Sequence, residues 1–220
     1  YISGLTEMDA VMGNDRKLIN DVIDAADRLH PKFIALCGSP VPFLNGTDFN
    51  ALARIIESET GIPSFAVETN GTHDYVQGAS KAWEKIAERF IKKPECKKER
   101  AVNILGMTPL DYASSDSVSS MREIMESAGY TVQSDSLDTL STSGEASVNL
   151  VVSQTGMAAA KYMEEHFQIP YVTGVPLGPV KDMVTEQLKK AEKEKRSIIL
   201  CNRRKHNGKT QVVLIGEPVT

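Results

Sequence analysis

Two groups of side chains in the first half of this 220-residue chain could do chemistry. Cys37 offers a thiol that could bind a metal cluster, and the alternative is a small apolar residue that ends a buried strand. His73 and Asp74 could form an oriented imidazole that acts as a base or a ligand. The alternative for this pair is that Thr72 or Asp74 caps a helix and the His73 ring is exposed.

A third group, Ser153, Gln154 and Thr155, could contact a ligand through its hydroxyl groups. The same residues would also suit the cap of a helix, so both interpretations stay open. The chain contains neither of the two common glycine-rich phosphate motifs, and it has no Gly-x-Ser-x-Gly or His-Glu-x-x-His. The candidates are therefore residues at the carboxyl ends of strands, where open α/β sheets bind their ligands.

The elements that would position these groups alternate between short apolar runs and helical patterns. The runs Lys32–Cys37, Val102–Leu105 and Gln211–Ile215 each lead into Gly and then Pro. Continuous apolar runs suit parallel strands that are covered on both faces, and proline ends a central strand. The sequence therefore predicts an α/β fold of tandem Rossmann-like, three-layer αβα domains with mostly parallel sheets.

A basic segment divides the chain into two such patterns. Residues 89–100 hold six Lys or Arg, two Glu and one Pro, a composition that suits a boundary between domains. We predict that residues 1–95 are the C-terminal part of a first Rossmann-like domain. Residues 96–197 would form a second domain, and residues 198–220 would begin a third.

The ends of the chain favour a piece of a longer protein. The sequence does not begin with Met, and its last residues have the pattern of a strand that continues into another unit. Residues 1–4 lack the basic start and the apolar stretch of a signal peptide, so we expect none. Three distant cysteines without a Cys-x-x-Cys pair indicate neither a disulfide framework nor a zinc site, and they favour a cytoplasmic location.

Composition excludes several classes of protein. With 41% hydrophobic residues and a net charge of −4, the chain is neither disordered nor collagen-like. Its apolar runs are far shorter than the roughly 20 residues that span a membrane, so no membrane association is expected. Residues 189–209 are strongly basic, but they contain no aromatic residue and Glu192 and Glu194 alternate with lysines, which favours a solvated helix over a nucleic-acid site.

Several segments resemble, in the same order, motifs of the nitrogenase component 1-type oxidoreductases. This family includes the nitrogenase alpha and beta subunits and their cofactor-assembly relatives. The similar segments are Glu7–Gly13, Lys17–Ile19, Phe43–Asp48, Val148–Val152, Tyr162–Tyr171 and Pro176–Pro179.

The resemblance implies a three-domain subunit that pairs with a homologous subunit, and this chain would be a fragment of it. It implies metal clusters at the subunit interface or between domains, and an ATP-dependent iron–sulfur reductase as electron donor. We therefore expect an iron–sulfur cluster in the full-length protein and none within this fragment alone.

The resemblance also selects candidate cofactor-binding residues. They are Cys37, which is also the metal-ligand candidate, His73, Ser153 and Gln154. Family members with a bridging cluster have a cysteine six residues before the glycine that matches Gly46. That position is Pro40 here, so Cys37 takes this role only if the alignment is shifted by three residues. Ser153 stands where the nitrogenase alpha subunit has a cofactor-ligating cysteine, and serine binds soft iron–sulfur sites far more weakly than a thiolate. Reduction of dinitrogen is therefore not expected.

The function predicted is that of an oxidoreductase subunit that transfers electrons through a metal cluster in a larger complex. Whether the chain is itself an enzyme stays open. One alternative is a non-catalytic partner or cofactor-assembly scaffold, and another is a small-ligand-binding α/β module. The sequence indicates neither the substrate nor any catalytic residue.

Overall fold

The computed structural model describes Ile2, Gly4 and residues 6–200. The chain divides into two compact units, Tyr1–Lys85 and Ile86–Thr220. The predicted domain boundaries after residues 95 and 197 stay predictions, and the predicted strand Gln211–Ile215 lies outside the described residues.

The first unit is built on two parallel strands, β1 (Ile34–Cys37) and β2 (Ser64–Val67). Ile34 lies opposite Ser64 and Cys37 lies opposite Val67, so both strands end at the same edge. The helices of this part of the chain are α1 (Glu7–Met12), α2 (Asp15–Leu29), α3 (Pro40–Leu44), α4 (Phe49–Thr60) and α5 (Tyr75–Phe90), in which the division between the units falls.

The bounds of α2 and α4 follow from local capping. The Asn14 side chain accepts a hydrogen bond from the Lys17 amide at 3.1 Å, and Asp48 accepts one from the Ala51 amide at 2.9 Å. Each bond satisfies an amide that has no partner within the first helical turn. Gly61 ends α4 in the left-handed conformation, with φ of +70°, which costs glycine little.

The core of the first unit lies between these two helices and one strand. The apolar stripes of α2 and α4 meet the face of β1 that carries Leu36. The buried members of this cluster are Ile19, Val22, Leu36, Leu52, Ala53 and Ile56.

The second unit contains a sheet of five parallel strands. Its strands are β3 (Ala101–Leu105), β4 (Thr131–Ser134), β5 (Val148–Val151), β6 (Tyr171–Thr173) and β7 (Ile198–Ile199). They lie in the order β4-β3-β5-β6-β7, and every neighbouring pair is parallel. This is the 2-1-3-4-5 order of flavodoxin-like folds, in which the direction of winding reverses between the first and third strands, here β3 and β5.

Helices cover both faces of this sheet, so the predicted three-layer arrangement is confirmed for the second unit. The helices are α6 (Ser115–Ser127), α7 (Met157–Phe167) and α8 (Lys181–Glu194), and 3-10 turns span Leu140–Glu145, Gln154–Gly156 and Gly178–Val180. Apolar side chains of α6 and α8 pack against β3, β5 and β6 in one cluster: Met121, Met125, Val184, Leu188, Ala191, Val102, Ile104, Val148, Leu150 and Val172. Among the residues that the structure describes, no helix is long and apolar enough to cross a membrane.

The opposite face of the sheet carries a polar pair at its centre. Asn103 of β3 and Asn149 of β5 are neighbours in register and fully buried. Asn103 Nδ2 donates to Asn149 Oδ1 at 2.7 Å and to the Ser143 carbonyl at 2.9 Å, while Asn149 Nδ2 lies 3.7 Å from the sulfur of Met163 in α7. The pair therefore joins the two central strands to the loop before β5 and to the helix after it.

Replacing Asn149 removes one of the two hydrogen-bond partners of the buried Asn103 amide, so we expect Asn149→Leu to destabilise the chain by about 1–3 kcal/mol. The double variant Asn103→Leu/Asn149→Leu should lose less than the sum of the two single variants, because both polar groups are then gone. Urea unfolding followed by circular dichroism measures these values. Asn20→Leu, at an exposed position of α2, is the control and should change stability by no more than about 0.5 kcal/mol. Additive single effects would contradict the coupling.

Candidate functional site

The candidate site of the second unit lies at the carboxyl ends of β3 and β5. Open α/β sheets bind ligands in the crevice where the winding direction reverses, and in this sheet that crevice lies between these two strands. Two segments border it: residues 106–114, which connect β3 to α6, and residues 152–156, which connect β5 to α7.

Hydroxyl groups from both segments converge on one carboxylate oxygen, Oδ2 of Asp111. Thr108 Oγ1 donates to it at 2.8 Å and Ser153 Oγ at 2.9 Å. Thr155 Oγ1 lies 3.4 Å from the same oxygen, and its single proton can point instead to Ser153 Oγ at 3.1 Å or to the Gly106 carbonyl at 3.4 Å. Asp111 is exposed as a residue, whereas Ser153 and Thr155 are 1% and 0% exposed.

The backbones of the two segments meet at a pair of glycines. A Cβ atom added to Gly156 would lie 2.7 Å from the nitrogen of Gly106 and 2.7 Å from the carbonyl carbon of Leu105. A Cβ atom added to Gly106, which has φ of +94°, would lie 2.9 Å from the Ser153 carbonyl oxygen. Glycine is therefore required on both sides for this close approach.

Ser153 and Gln154 both contribute to the turn that begins α7. Ser153 Oγ accepts a hydrogen bond from the Thr155 amide at 3.3 Å, which is the capping role considered from the sequence. Gln154 is half-buried and begins the 3-10 turn Gln154–Gly156. The second segment is held further by Tyr112, whose hydroxyl donates to the Val152 carbonyl at 2.8 Å.

In the first unit, Cys37 is the last residue of β1 and is exposed, not buried as the apolar alternative required. Neighbouring atoms still desolvate the sulfur, and this burial raises the pKa of the Cys37 thiol above its usual value. The thiol lines an apolar cleft of about 600 Å³ between α2 and the segment from Pro31 to Phe49.

The loops that follow β1 and β2 touch each other at the edge where both strands end. Thr69 Oγ1 donates to the Gly38 carbonyl at 3.0 Å, and a Cβ atom added to Gly71 would lie 2.6 Å from Cδ of Pro40. The structure therefore brings the segment after Cys37 together with the one that leads to His73.

His73 lies exposed at the end of this second loop. The neighbouring Asp74 accepts a hydrogen bond from the Gln77 amide at 2.9 Å and so caps α5. The capping interpretation of Asp74 is thus confirmed, while a ligand role of His73 stays a prediction.

The residues that sequence reasoning missed are Thr108 and Asp111. The sequence pattern marks Gly106–Pro109 only as the end of a strand. The sequence signal that could have identified Asp111 is its position, because it places a carboxylate two residues after Pro109 and so close to the end of a strand. Because Asp111 meets Ser153 from 42 residues away in sequence, no local pattern could pair them.

The described part of the chain contains no group of three or more His, Cys, Asp or Glu side chains that could hold a metal ion. Each unit instead offers isolated donors. The first has the thiol of Cys37, and the second has the hydroxyl and carboxylate cluster of Thr108, Asp111, Ser153 and Thr155.

Comparisons with known proteins agree with this fold. The chain belongs to the family described as nitrogenase component 1 type oxidoreductase, whose model matches residues 1–199. In fold it is similar to a solved structure described as nitrogenase Cp1 at pH 5, with a TM-score of 0.67 and 22% identity over 86% of this chain and 42% of that one.

Individual relatives carry different functions. A subunit of the light-independent protochlorophyllide reductase of Nostoc punctiforme is 23% identical over 184 residues, which are 77% of this chain and 36% of the relative. The nitrogenase molybdenum-iron protein alpha chain of Methanosarcina barkeri is 24% identical over 178 residues, which are 76% and 33% of the two chains. The chain thus spans about a third of the length of these curated relatives.

The contact between the two glycines predicts a steric effect. Gly156→Ala should destabilise the chain by about 1–3 kcal/mol, because the new methyl group meets backbone atoms that cannot rotate away. Gly78→Ala is the matched control: its Cβ would lie 3.8 Å from the Thr69 methyl group, and alanine in α5 should add about 0.5–1 kcal/mol. Chemical unfolding of both variants tests the difference, and equal stabilities would contradict it.

The environment of Cys37 predicts how the rate at which its thiol is alkylated changes with pH. Only the thiolate is alkylated, so a raised pKa means that the reaction with iodoacetamide should reach half its maximal rate above pH ~8.5, the value of a free thiol. The measurement uses the variant Cys96→Ser/Cys201→Ser, in which Cys37 is the remaining thiol, with a cysteine-containing peptide as reference. A midpoint below that of the peptide would contradict the desolvation of the sulfur.

Proposed function

We propose that this chain is part of an oxidoreductase subunit that transfers electrons within a complex of homologous subunits. Family membership over residues 1–199 carries this proposal, because the relatives are subunits of nitrogenase and of protochlorophyllide reductase. In the proposal an ATP-dependent iron–sulfur reductase delivers the electrons. The complex acts in the cytoplasm on a substrate other than dinitrogen.

An iron–sulfur or related cluster is the cofactor that the family implies, and Cys37 is the described thiol that lies at a strand end. Thiolate sulfur is the usual protein ligand of such clusters. Cys37 is exposed at a strand end beside an apolar cleft, which supports a place where a cluster shared with other residues of the complex could be bound. When bound, such a cluster supplies one-electron transfer.

The residues of this chain would bind and orient the cluster. The apolar walls of the cleft exclude water from one side of Cys37, and a less polar surrounding alters the potential at which a cluster accepts an electron. His73 lies on the loop that follows the neighbouring strand and is proposed as a second contact. The described residues supply too few donors for a whole cluster, so the remaining ligands would come from elsewhere in the complex.

The alternative of a non-catalytic partner or cofactor-assembly scaffold keeps specific support. The cofactor biosynthesis protein NifE of Klebsiella pneumoniae is 29% identical over 72 residues, which are 32% of this chain and 16% of that protein. The hydrogen bond from Ser153 to Asp111 favours the same alternative. Ser153 stands at the position of the cofactor-ligating cysteine of the nitrogenase alpha subunit, and here its hydroxyl is bonded to another side chain of the chain.

Iron analysis of the complex tests the proposal. The full-length protein would be produced with its partner subunit, purified without oxygen, and assayed for iron and acid-labile sulfide. We expect both elements in the native complex, and we expect Cys37→Ser to lower the iron content because serine is a poor ligand for iron–sulfur clusters.

The matched control for this experiment is Cys96→Ser, which changes the other described cysteine, also exposed. It should leave the iron content as it is. A native complex free of iron would overturn the proposed electron transfer, whereas a loss of iron in neither variant would exclude Cys37 as a ligand.

A further inference from the structure

Hydrogen bonds between the chain's own residues cross the crevice at which this type of sheet ordinarily binds a ligand. We call residues 106–112 the plug. They leave the carboxyl end of β3, turn back through the bond of the Tyr112 amide to the Thr108 carbonyl at 2.8 Å, and place Asp111 over the beginning of the turn after β5.

Three contacts attach the plug to the segment after β5. Asp111 accepts a hydrogen bond from Ser153, Tyr112 donates to the carbonyl of Val152, and Gly106 touches Gly156 through backbone atoms alone. The first two link side chains to groups about 40 residues away, so they hold only in the folded unit. Together they hold the two segments against each other at the strand ends.

The Ser153 hydroxyl does not fit the role of a metal ligand in this arrangement. Its proton goes to Asp111 at 2.9 Å, and the same oxygen accepts from the Thr155 amide at 3.3 Å. A serine that binds a metal does so through an oxygen lone pair, and the two lone pairs of Ser153 face the Thr155 amide at 3.3 Å and the Thr155 hydroxyl at 3.1 Å. With 1% of the residue exposed, a ligand could reach this oxygen only after the plug had moved.

We infer that this subunit contributes no cofactor ligand from the carboxyl end of β5, and that the plug closes this crevice in the assembled protein. The inference deepens the proposed function. It rests on that function in one respect, since the cofactor is taken to be the metal cluster of the complex. In the second unit, Asp111 is then a positioning residue that holds Ser153 as a cap of the turn before α7.

The first test measures access and needs no cofactor. Two full-length variants are compared: one lacks all native thiols and carries Ser153→Cys, and the other keeps Cys96 as its single thiol. The Ser153→Cys thiol should react with a maleimide at least about tenfold more slowly than Cys96 does, because a buried thiol reacts only during local opening. Adding Asp111→Ala should raise the rate, since it removes the carboxylate that lies over this position. Labelling as fast as that of Cys96 would overturn the inference.

The folding of these variants is checked by circular dichroism and by the urea midpoint. If Ser153→Cys fails to fold, hydrogen exchange of the Thr155 amide in the native full-length protein replaces the labelling. Slow exchange supports the plug, because that amide is bonded to Ser153, whereas exchange as fast as that of an exposed loop amide would overturn it.

The second test separates this inference from the proposed function. In the anaerobically purified complex, Ser153→Ala should leave iron and sulfide unchanged, and Cys37→Ser should lower them. A loss of iron in Ser153→Ala, with the urea midpoint of the complex unaltered, would overturn the inference and leave the proposed electron transfer intact. A native complex without iron would overturn the proposed function, and the labelling result would still decide whether the plug closes the crevice.

Discussion

The close approach of Gly106 and Gly156 sets the geometry of the second unit at the carboxyl ends of β3 and β5. With no side chain between them, the segments that leave β3 and β5 run in contact, and α7 begins directly against the end of β3. The hydrogen bonds of Ser153, Thr155 and Tyr112 are possible because the two backbones are already this near. The polar cluster is thus a consequence of a steric fit.

The same sheet is also fixed at its centre, on the face that α7 covers. The Asn103–Asn149 pair lies within the same two strands whose following segments make the glycine contact. Buried amide groups tolerate few alternative partners, so the pair specifies how β3 and β5 align. The alignment in turn fixes where each strand ends, which decides whether Asp111 can reach Ser153.

The two units differ in what their strand ends offer. In the first, Cys37 is exposed beside an apolar cleft, and the two loops touch through the bond of Thr69 to the Gly38 carbonyl. In the second, the corresponding edge is closed by hydrogen bonds and backbone contacts. The chain belongs to the nitrogenase component 1 type oxidoreductase family, and among the described residues the first unit is the one with a thiol at a strand end.

Much of the fold follows from the sequence, because apolar runs, Gly-Pro punctuation and helix caps act over a few residues. Asn14, Asp48 and Gly61 fix helix ends without help from distant segments. The family and the candidate strand ends are also accessible from ordered local motifs. By contrast, the exposure of Cys37 depends on what packs around β1, and the partner of Ser153 lies 42 residues away. Only the tertiary structure could decide these points, because a side chain's surroundings are made by segments that the chain folds against it.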